Sequence, residues 1–78
     1  MDKALIKMVE DEEKRGRAKW GAVDKDPIAL LSAATEELGE VAHAVNHNEG
    51  QEKIIQESAE VIGILSRLCK MVAPRMKQ

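Results

Sequence analysis

Apolar residues recur every three or four positions along most of the chain, which is the spacing of an α-helix with one buried face. The first such stretch, residues 2–15, runs without a helix breaker until Gly16. A connection is predicted over residues 16–27, ending at Asp26-Pro27, where Asp would be the N-cap and Pro would open the next helix. One long helix then leads to the polar segment 46–50. A second begins near Gln51 and stops at Pro74.

No stretch alternates convincingly with period two, so the pattern predicts one all-α domain over residues 1–78. Its architecture would be a short N-terminal helix plus a long antiparallel helical hairpin. Composition adds a second expectation, because the hydrophobic content of 44% includes ten alanines, and Trp20 is the only aromatic residue. A core of small side chains buries little area in a monomer. We therefore expect a helical bundle formed by homo-oligomerisation.

Two pairs of glutamates stand at equal distances from the predicted turn, Glu37-x-x-Glu40 before it and Glu57-x-x-Glu60 after it. Residues three apart on a helix share a face and are separated by a rise of about 4.5 Å. In an antiparallel hairpin Glu37 would lie opposite Glu60, and Glu40 opposite Glu57. Four facing carboxylates repel unless a cation neutralises them, and hard oxygen ligands favour Mg²⁺ or Mn²⁺. The pattern predicts a metal site, although a single such pair is more often a solvated helix face.

The charge distribution narrows the choice of partners. A net charge of −2 argues against general affinity for nucleic acid or an anionic membrane. Four cations nevertheless lie just upstream of Trp20, namely Lys14, Arg15, Arg17 and Lys19. They could hold a polyanionic substrate near the acidic pairs, although long side chains of this kind more often solubilise a helix end.

Cysteine usage and hydropathy bear on the location of the protein. Cys69 stands alone, so no disulfide can form within the chain. The sequence has no pattern typical of a signal peptide and no apolar run of membrane-spanning length. These features predict a cytoplasmic protein.

Two segments carry a resemblance to a known family, EELGEVAHAV over residues 36–45 and ESAEVIGIL over residues 57–65. They resemble the MazG-like nucleoside triphosphate pyrophosphohydrolases, an all-α group with the signature E-E-x-x-E followed further along the chain by E-x-x-D. Lys19-Trp20-Gly21 and Asp26-Pro27 also look like the short phage-type members of that group. The resemblance extends over about residues 14–70, most of the chain.

The resemblance implies Mg²⁺-dependent hydrolysis of a nucleoside triphosphate between its α and β phosphates, releasing a monophosphate and pyrophosphate. It implies that Glu37, Glu40 and Glu57 bind the metal, with Mn²⁺ as an alternative ion. Glu60 stands where the family usually has Asp, so the fourth ligand departs from the pattern. Either Glu36 or Glu40 would accept the proton of the attacking water.

The same resemblance guides the expectations for substrate and partners. The candidate substrate-binding residues are Lys14, Arg17, Lys19 and Trp20. Trp20 would either stack on the base or anchor a loop onto the hairpin. Family members are similar in forming dimers or dimers of dimers and in controlling the nucleotide pool.

Two other functions fit parts of the sequence. Glu40-x-x-His43 is also the kind of motif that binds iron in di-iron four-helix bundles, with a homodimer supplying two copies. The third hypothesis is a non-catalytic nucleotide-binding or interaction module, in which Glu60 and the short chain have lost turnover.

Overall fold

The computed structural model describes residues 1–20 and 26–73, apart from the side chain of Trp20. These residues form three α-helices, α1 (Lys3–Trp20), α2 (Pro27–Asn46) and α3 (Gln51–Val72). No strand occurs in this part of the chain, so the all-α prediction is confirmed there. None of its helices is both long enough and apolar enough to cross a membrane.

The predicted boundaries of α2 and α3 follow from local chemistry. The carboxylate of Asp26 accepts a hydrogen bond from the backbone N–H of Ile28 at 2.9 Å, and Pro27 occupies the first turn. This is the predicted N-cap. After α2 the chain turns through Asn48, with φ of 52°, and Gly50, with φ of 97°. Helix α3 then begins at Gln51 and ends at Val72, whereas Pro74, the predicted stop, lies outside the described residues.

Helix α1 is longer than predicted. It continues through Gly16 to Trp20, so the connection predicted from residue 16 was wrong for residues 16–20, while residues 21–25 are not described. Glycine inside a helix costs only about 1 kcal/mol relative to alanine, which tertiary packing can offset. Here the guanidinium of Arg67 occupies the space that a side chain at position 16 would fill. The space beside Gly16 is therefore filled by a side chain that is remote in sequence.

Helix α3 is the central element, because both α1 and α2 pack on it. Gly63 lets α1 approach closely. A Cβ atom at position 63 would lie 3.3 Å from the Cβ of Glu12 and 3.5 Å from the carbonyl oxygen of Val9. The backbone of α1 thus lies directly against α3 at this position.

The apolar core is sparse, as its composition predicts. The buried apolar residues in the described part are Val9, Leu30, Ala34, Ala44 and Ala59. Three of these five are alanines, and no large side chain among the described residues is fully buried. The antiparallel course of α2 and α3 and the association of copies stay predictions.

Candidate metal centre

Three carboxylates from two helices converge where α2 packs on α3. Glu37 comes from α2, while Glu57 and Glu60 lie one turn apart on α3. One carboxylate oxygen of each lies within 4.8 Å of one oxygen of each of the others. Glu57 is buried and the other two are half-buried. Like charges this close and this shielded from water repel one another strongly.

One lysine partly compensates this charge. The Nζ of Lys53 lies 3.0 Å from Oε1 of Glu57, one turn along α3. This hydrogen bond is the main reason that the pKa of Glu57 is lowered, and the charge of Lys53 acts in the same direction. Glu57 therefore holds its negative charge even though it is buried.

The pKa values of Glu37 and Glu60 are raised, whereas that of Glu57 is lowered. Loss of solvation raises the pKa of Glu37, and the charge of Glu57 adds to this effect. Loss of solvation also raises the pKa of Glu60, followed by the charges of Glu57 and Glu37. Both groups are disfavoured as anions, so the cluster holds more negative charge than the surrounding protein neutralises.

Glu40, the fourth predicted metal ligand, lies outside this group of carboxylates. Glu40 is exposed and does not belong to the group of convergent carboxylates found among the described residues. Its charge still acts on Glu37 and on Lys53. Glu40 is therefore near the cluster without joining it.

A cleft of about 380 Å³ opens beside the carboxylates, and all three helices line it. Its acidic lining residues are Glu12, Glu36, Glu37 and Glu60. Its basic lining residues are Arg15, Lys19 and Arg67. A cleft with both signs of charge can accept a polyanion together with a cation.

Arg15 connects α1 to the carboxylate cluster. Its Nη2 donates to Oε2 of Glu12 at 2.7 Å and to Oε1 of Glu60 at 3.1 Å. The amide of Gln56 also donates to Glu12, at 2.8 Å, so α1 and α3 are linked twice at this level. The packing of α1 on α3 therefore brings the positive charge of Arg15 to the carboxylate cluster.

The structure places only part of the predicted basic set in the cleft. Lys19 lines it, whereas Lys14 and Arg17 do not belong to the lining. Lys14 is exposed, and Nη1 of Arg17 lies 3.9 Å from Oε2 of the buried Glu13. The side chain of Trp20, also predicted to bind substrate, lies outside the described part.

Among the charged lining residues, Glu12 and Arg15 were not candidate substrate-binding residues, although Arg15 belongs to the predicted basic run, and Arg67 was not singled out at all. The first two have a recognisable signal, since Glu12, Arg15, Gly16 and Lys19 share one helix face once α1 is extended past Gly16. Arg67 carries no such local signal. It reaches the cleft because Gly16 leaves room for its guanidinium.

The donor set suits a hard divalent ion. Three carboxylates that converge from two helices supply oxygen ligands alone, which fits Mg²⁺ or Mn²⁺ better than a soft transition metal. His43, required by the di-iron hypothesis, is not part of this cluster. Its Nδ1 lies 2.9 Å from Oε2 of Glu49.

The chain was compared with protein-family models, with curated proteins and with solved structures. None of them matches it. The candidate centre therefore rests on its own geometry and on the sequence resemblance described above.

Glu60→Gln is expected to raise the midpoint of thermal unfolding near neutral pH in the presence of a chelator. Burial and the neighbouring charges disfavour ionised Glu60, so the native state loses stability above the raised pKa. This penalty disappears as the pH falls below the unfolded value of about 4.3, so the gain should shrink over that window. We expect the unfolding midpoint to rise by a few degrees, because a stabilisation of 1 kcal/mol raises it by about 4–8 °C in a domain of this size.

Glu57→Gln is the matched control for this measurement. Its pKa is lowered by Lys53, so its charge stabilises the fold above the unfolded pKa, and this contribution is lost as the pH falls. The Gln variant should therefore melt lower than the parent at neutral pH. The ion pair of Glu60 with the exposed Arg15 offsets little of the gain at position 60. A lower midpoint for Glu60→Gln at neutral pH would contradict the proposed repulsion.

Proposed function

We propose that the protein is a Mg²⁺-dependent nucleoside triphosphate pyrophosphohydrolase that contributes to control of the nucleotide pool in the cytoplasm. The observation that carries the proposal is the convergence of Glu37, Glu57 and Glu60 beside a cleft that also contains cations. A nucleoside triphosphate complexed with a divalent ion needs both features, carboxylates for the ion and cations for the phosphates. The cleft volume of about 380 Å³ falls in the range of small-molecule sites, roughly 300–1,000 Å³.

In this proposal Glu37, Glu57 and Glu60 hold the metal. A divalent ion bound there would neutralise the triphosphate charge and favour charge development on the leaving pyrophosphate. The half-buried position of Glu37 and Glu60 would reduce the screening of that interaction by water. Glu60 in place of the usual Asp still supplies a carboxylate oxygen to the group.

The reaction requires one proton acceptor. The oxygen of a water molecule attacks the α-phosphorus, the bond from that phosphorus to the bridging oxygen breaks, and its electron pair leaves with pyrophosphate. Glu36 is the better candidate of the two predicted bases, because it lines the cleft whereas Glu40 does not belong to the lining. The carboxylate of Glu36 would take the proton of the attacking water.

Pyrophosphate release from a panel of ribo- and deoxyribonucleoside triphosphates, with Mg²⁺ and with Mn²⁺, tests the reaction. Detected phosphate should depend on added inorganic pyrophosphatase, since cleavage between the β and γ phosphates would give phosphate without it. Glu57→Gln should lower turnover at least about tenfold to a hundredfold, the loss typical even of residues that only support metal ligands.

Glu52→Gln is the matched control, since Glu52 is an exposed carboxylate at the start of the same helix. It should retain the turnover of the parent. Nucleotide binding without pyrophosphate release would favour the non-catalytic module instead, and absorbance from bound iron after aerobic loading would favour the di-iron protein.

Arg15→Ala should raise the KM for the triphosphate by about tenfold with a smaller effect on kcat, because a charge-assisted hydrogen bond contributes about 1.5–3 kcal/mol. Arg15 lines the cleft and its guanidinium already lies against a carboxylate of the cluster. Lys14→Ala is the control from the same basic run, with an exposed side chain outside the cleft lining. Steady-state kinetics that give equal KM changes for the two variants would contradict the placement of substrate in the cleft.

The exposed apolar surface supports self-association as part of the proposal. Along α2 the exposed large apolar residues are Ile28, Leu31, Leu38 and Val45, and along α3 they are Ile55, Leu65 and Val72. Within each helix their separations of three, seven or ten residues match a heptad pattern. On α2 they extend over about 27 Å of helix. Leu38 is 58% exposed and Ile28 is 72% exposed, and exposed apolar residues that line up along one face are typical of an interaction surface.

A second copy would cover this surface. The four-residue connection 47–50 favours an antiparallel hairpin of α2 and α3, which would place the two apolar stripes side by side. Two such hairpins packed through these stripes would form a four-helix bundle. The interface would then supply the apolar burial that the alanine-rich core lacks.

Leu38→Asp should weaken this association at least about a hundredfold, because burying an unpaired carboxylate costs several kcal/mol and each 1.4 kcal/mol is tenfold. Ile6→Asp is the control, an exposed apolar residue on α1 outside the stripes. Sedimentation equilibrium over a range of concentrations measures the association of both variants. A folded parent protein that sediments as a monomer of 8.6 kDa would refute the assembly.

A further inference from the structure

Two histidines form a pair at the C-terminal end of α2, away from the carboxylate cluster. The ring centroids of His43 and His47 are 4.1 Å apart, and the ring planes are inclined by 24°. The backbone N–H of His47 donates to the carbonyl of His43 at 3.0 Å, so the two residues keep the helical spacing of four. Both side chains are exposed. Two imidazoles therefore stand together where an ion in solution can reach them.

The chain reversal after α2 supplies a third group. Asn48 has a positive φ of 52°, and the backbone N–H of Glu49 donates to the carbonyl of Ala44 at 3.0 Å. This turn brings Oε2 of Glu49 to 2.9 Å from Nδ1 of His43. A carboxylate only accepts hydrogen bonds, so Nδ1 carries the proton, and in the neutral ring Nε2 keeps the lone pair. An acidic partner of this kind orients a histidine as a metal ligand and makes it a stronger donor.

We propose that His43 and His47 bind one divalent transition-metal ion of the class that prefers imidazole, such as Zn²⁺, Ni²⁺ or Cu²⁺, through their Nε2 atoms. Histidines four apart on a helix can bind one ion together, and the imidazole nitrogen suits these metals. Because each imidazole binds a metal in its own ring plane, the exposed ring of His47 would turn out of the stack so that the two Nε2 atoms face one ion. Glu49 is the positioning residue. No third protein ligand converges on the pair among the described residues, so water completes the coordination.

The electrostatics of the location favour a cation. The pair lies at the C-terminus of α2, where the helix dipole presents partial negative charge, and Glu49 adds a full negative charge. The ligands are neutral nitrogens, whereas Glu37, Glu57 and Glu60 offer only oxygens. The chain would therefore sort two kinds of ion by ligand chemistry, with Mg²⁺ at the carboxylates and a softer ion at the histidines.

Binding at this place would stabilise the end of α2. The ion would join the last turn of the helix to His47, which begins the connection to α3. Any ion that binds the folded chain more tightly than the unfolded one raises the unfolding temperature. Metal occupancy would then tighten the turn between the two helices that carry the carboxylates.

Calorimetric titration of the untagged full chain with Ni²⁺, in an excess of Mg²⁺, tests the site. One Ni²⁺ per chain should bind, and His43→Gln and His47→Gln should each lose at least about tenfold in affinity. Glu49→Gln should weaken binding less than either histidine variant while leaving the stoichiometry unchanged. Glu52→Gln and Cys69→Ser, which alter an exposed carboxylate and the only thiol, should bind as the parent does.

Proton NMR gives a readout that does not depend on affinity. The chain has two histidines, so every imidazole ring signal comes from this pair. Addition of Zn²⁺ should shift the ring signals of both residues together at one equivalent. Ni²⁺ affinity unchanged in both histidine variants, ring signals that move one at a time, or no Ni²⁺ uptake by the parent would overturn the proposal.

Discussion

The surplus of negative charge where Glu37, Glu57 and Glu60 meet is the constraint on which the other features of the structure depend. Lys53 balances Glu57 from one turn away, and Arg15 reaches Glu60 from another helix. Both contacts reduce the repulsion without removing it, because burial still raises the pKa of Glu37 and of Glu60. The cluster therefore carries unfavourable electrostatic energy. Such places are where binding of a cation contributes most to stability.

The helical framework was largely predictable because it is encoded locally. The N-cap of α2 needs only Asp26, Pro27 and the next backbone N–H, all within three residues. The failure at Gly16 has a different origin. The residue is a helix breaker in isolation, and its role becomes apparent only when α3 brings Arg67 against it. Local propensity cannot report a contact that spans about fifty positions of the chain.

The candidate site was predictable to the extent that helical periodicity determines faces. Spacing alone brought Glu37, Glu57 and Glu60 into one hypothesis, and the structure brings these three together. Spacing could not give the rotation of α2 about its own axis, which exposes Glu40. Nor could it show which face of α1 packs against α3, which determines whether Arg15 or Lys14 lies at the cleft. Both quantities depend on packing between helices.

The contact between Gly16 and Arg67 has a consequence for how sequence and chemistry are related in this protein. The absence of a side chain at position 16 leaves space that a guanidinium from α3 occupies, and a larger residue there would displace the end of that side chain. Selection for the composition of the cleft would therefore act on a glycine in a different helix. A search for functional positions restricted to polar side chains would overlook it.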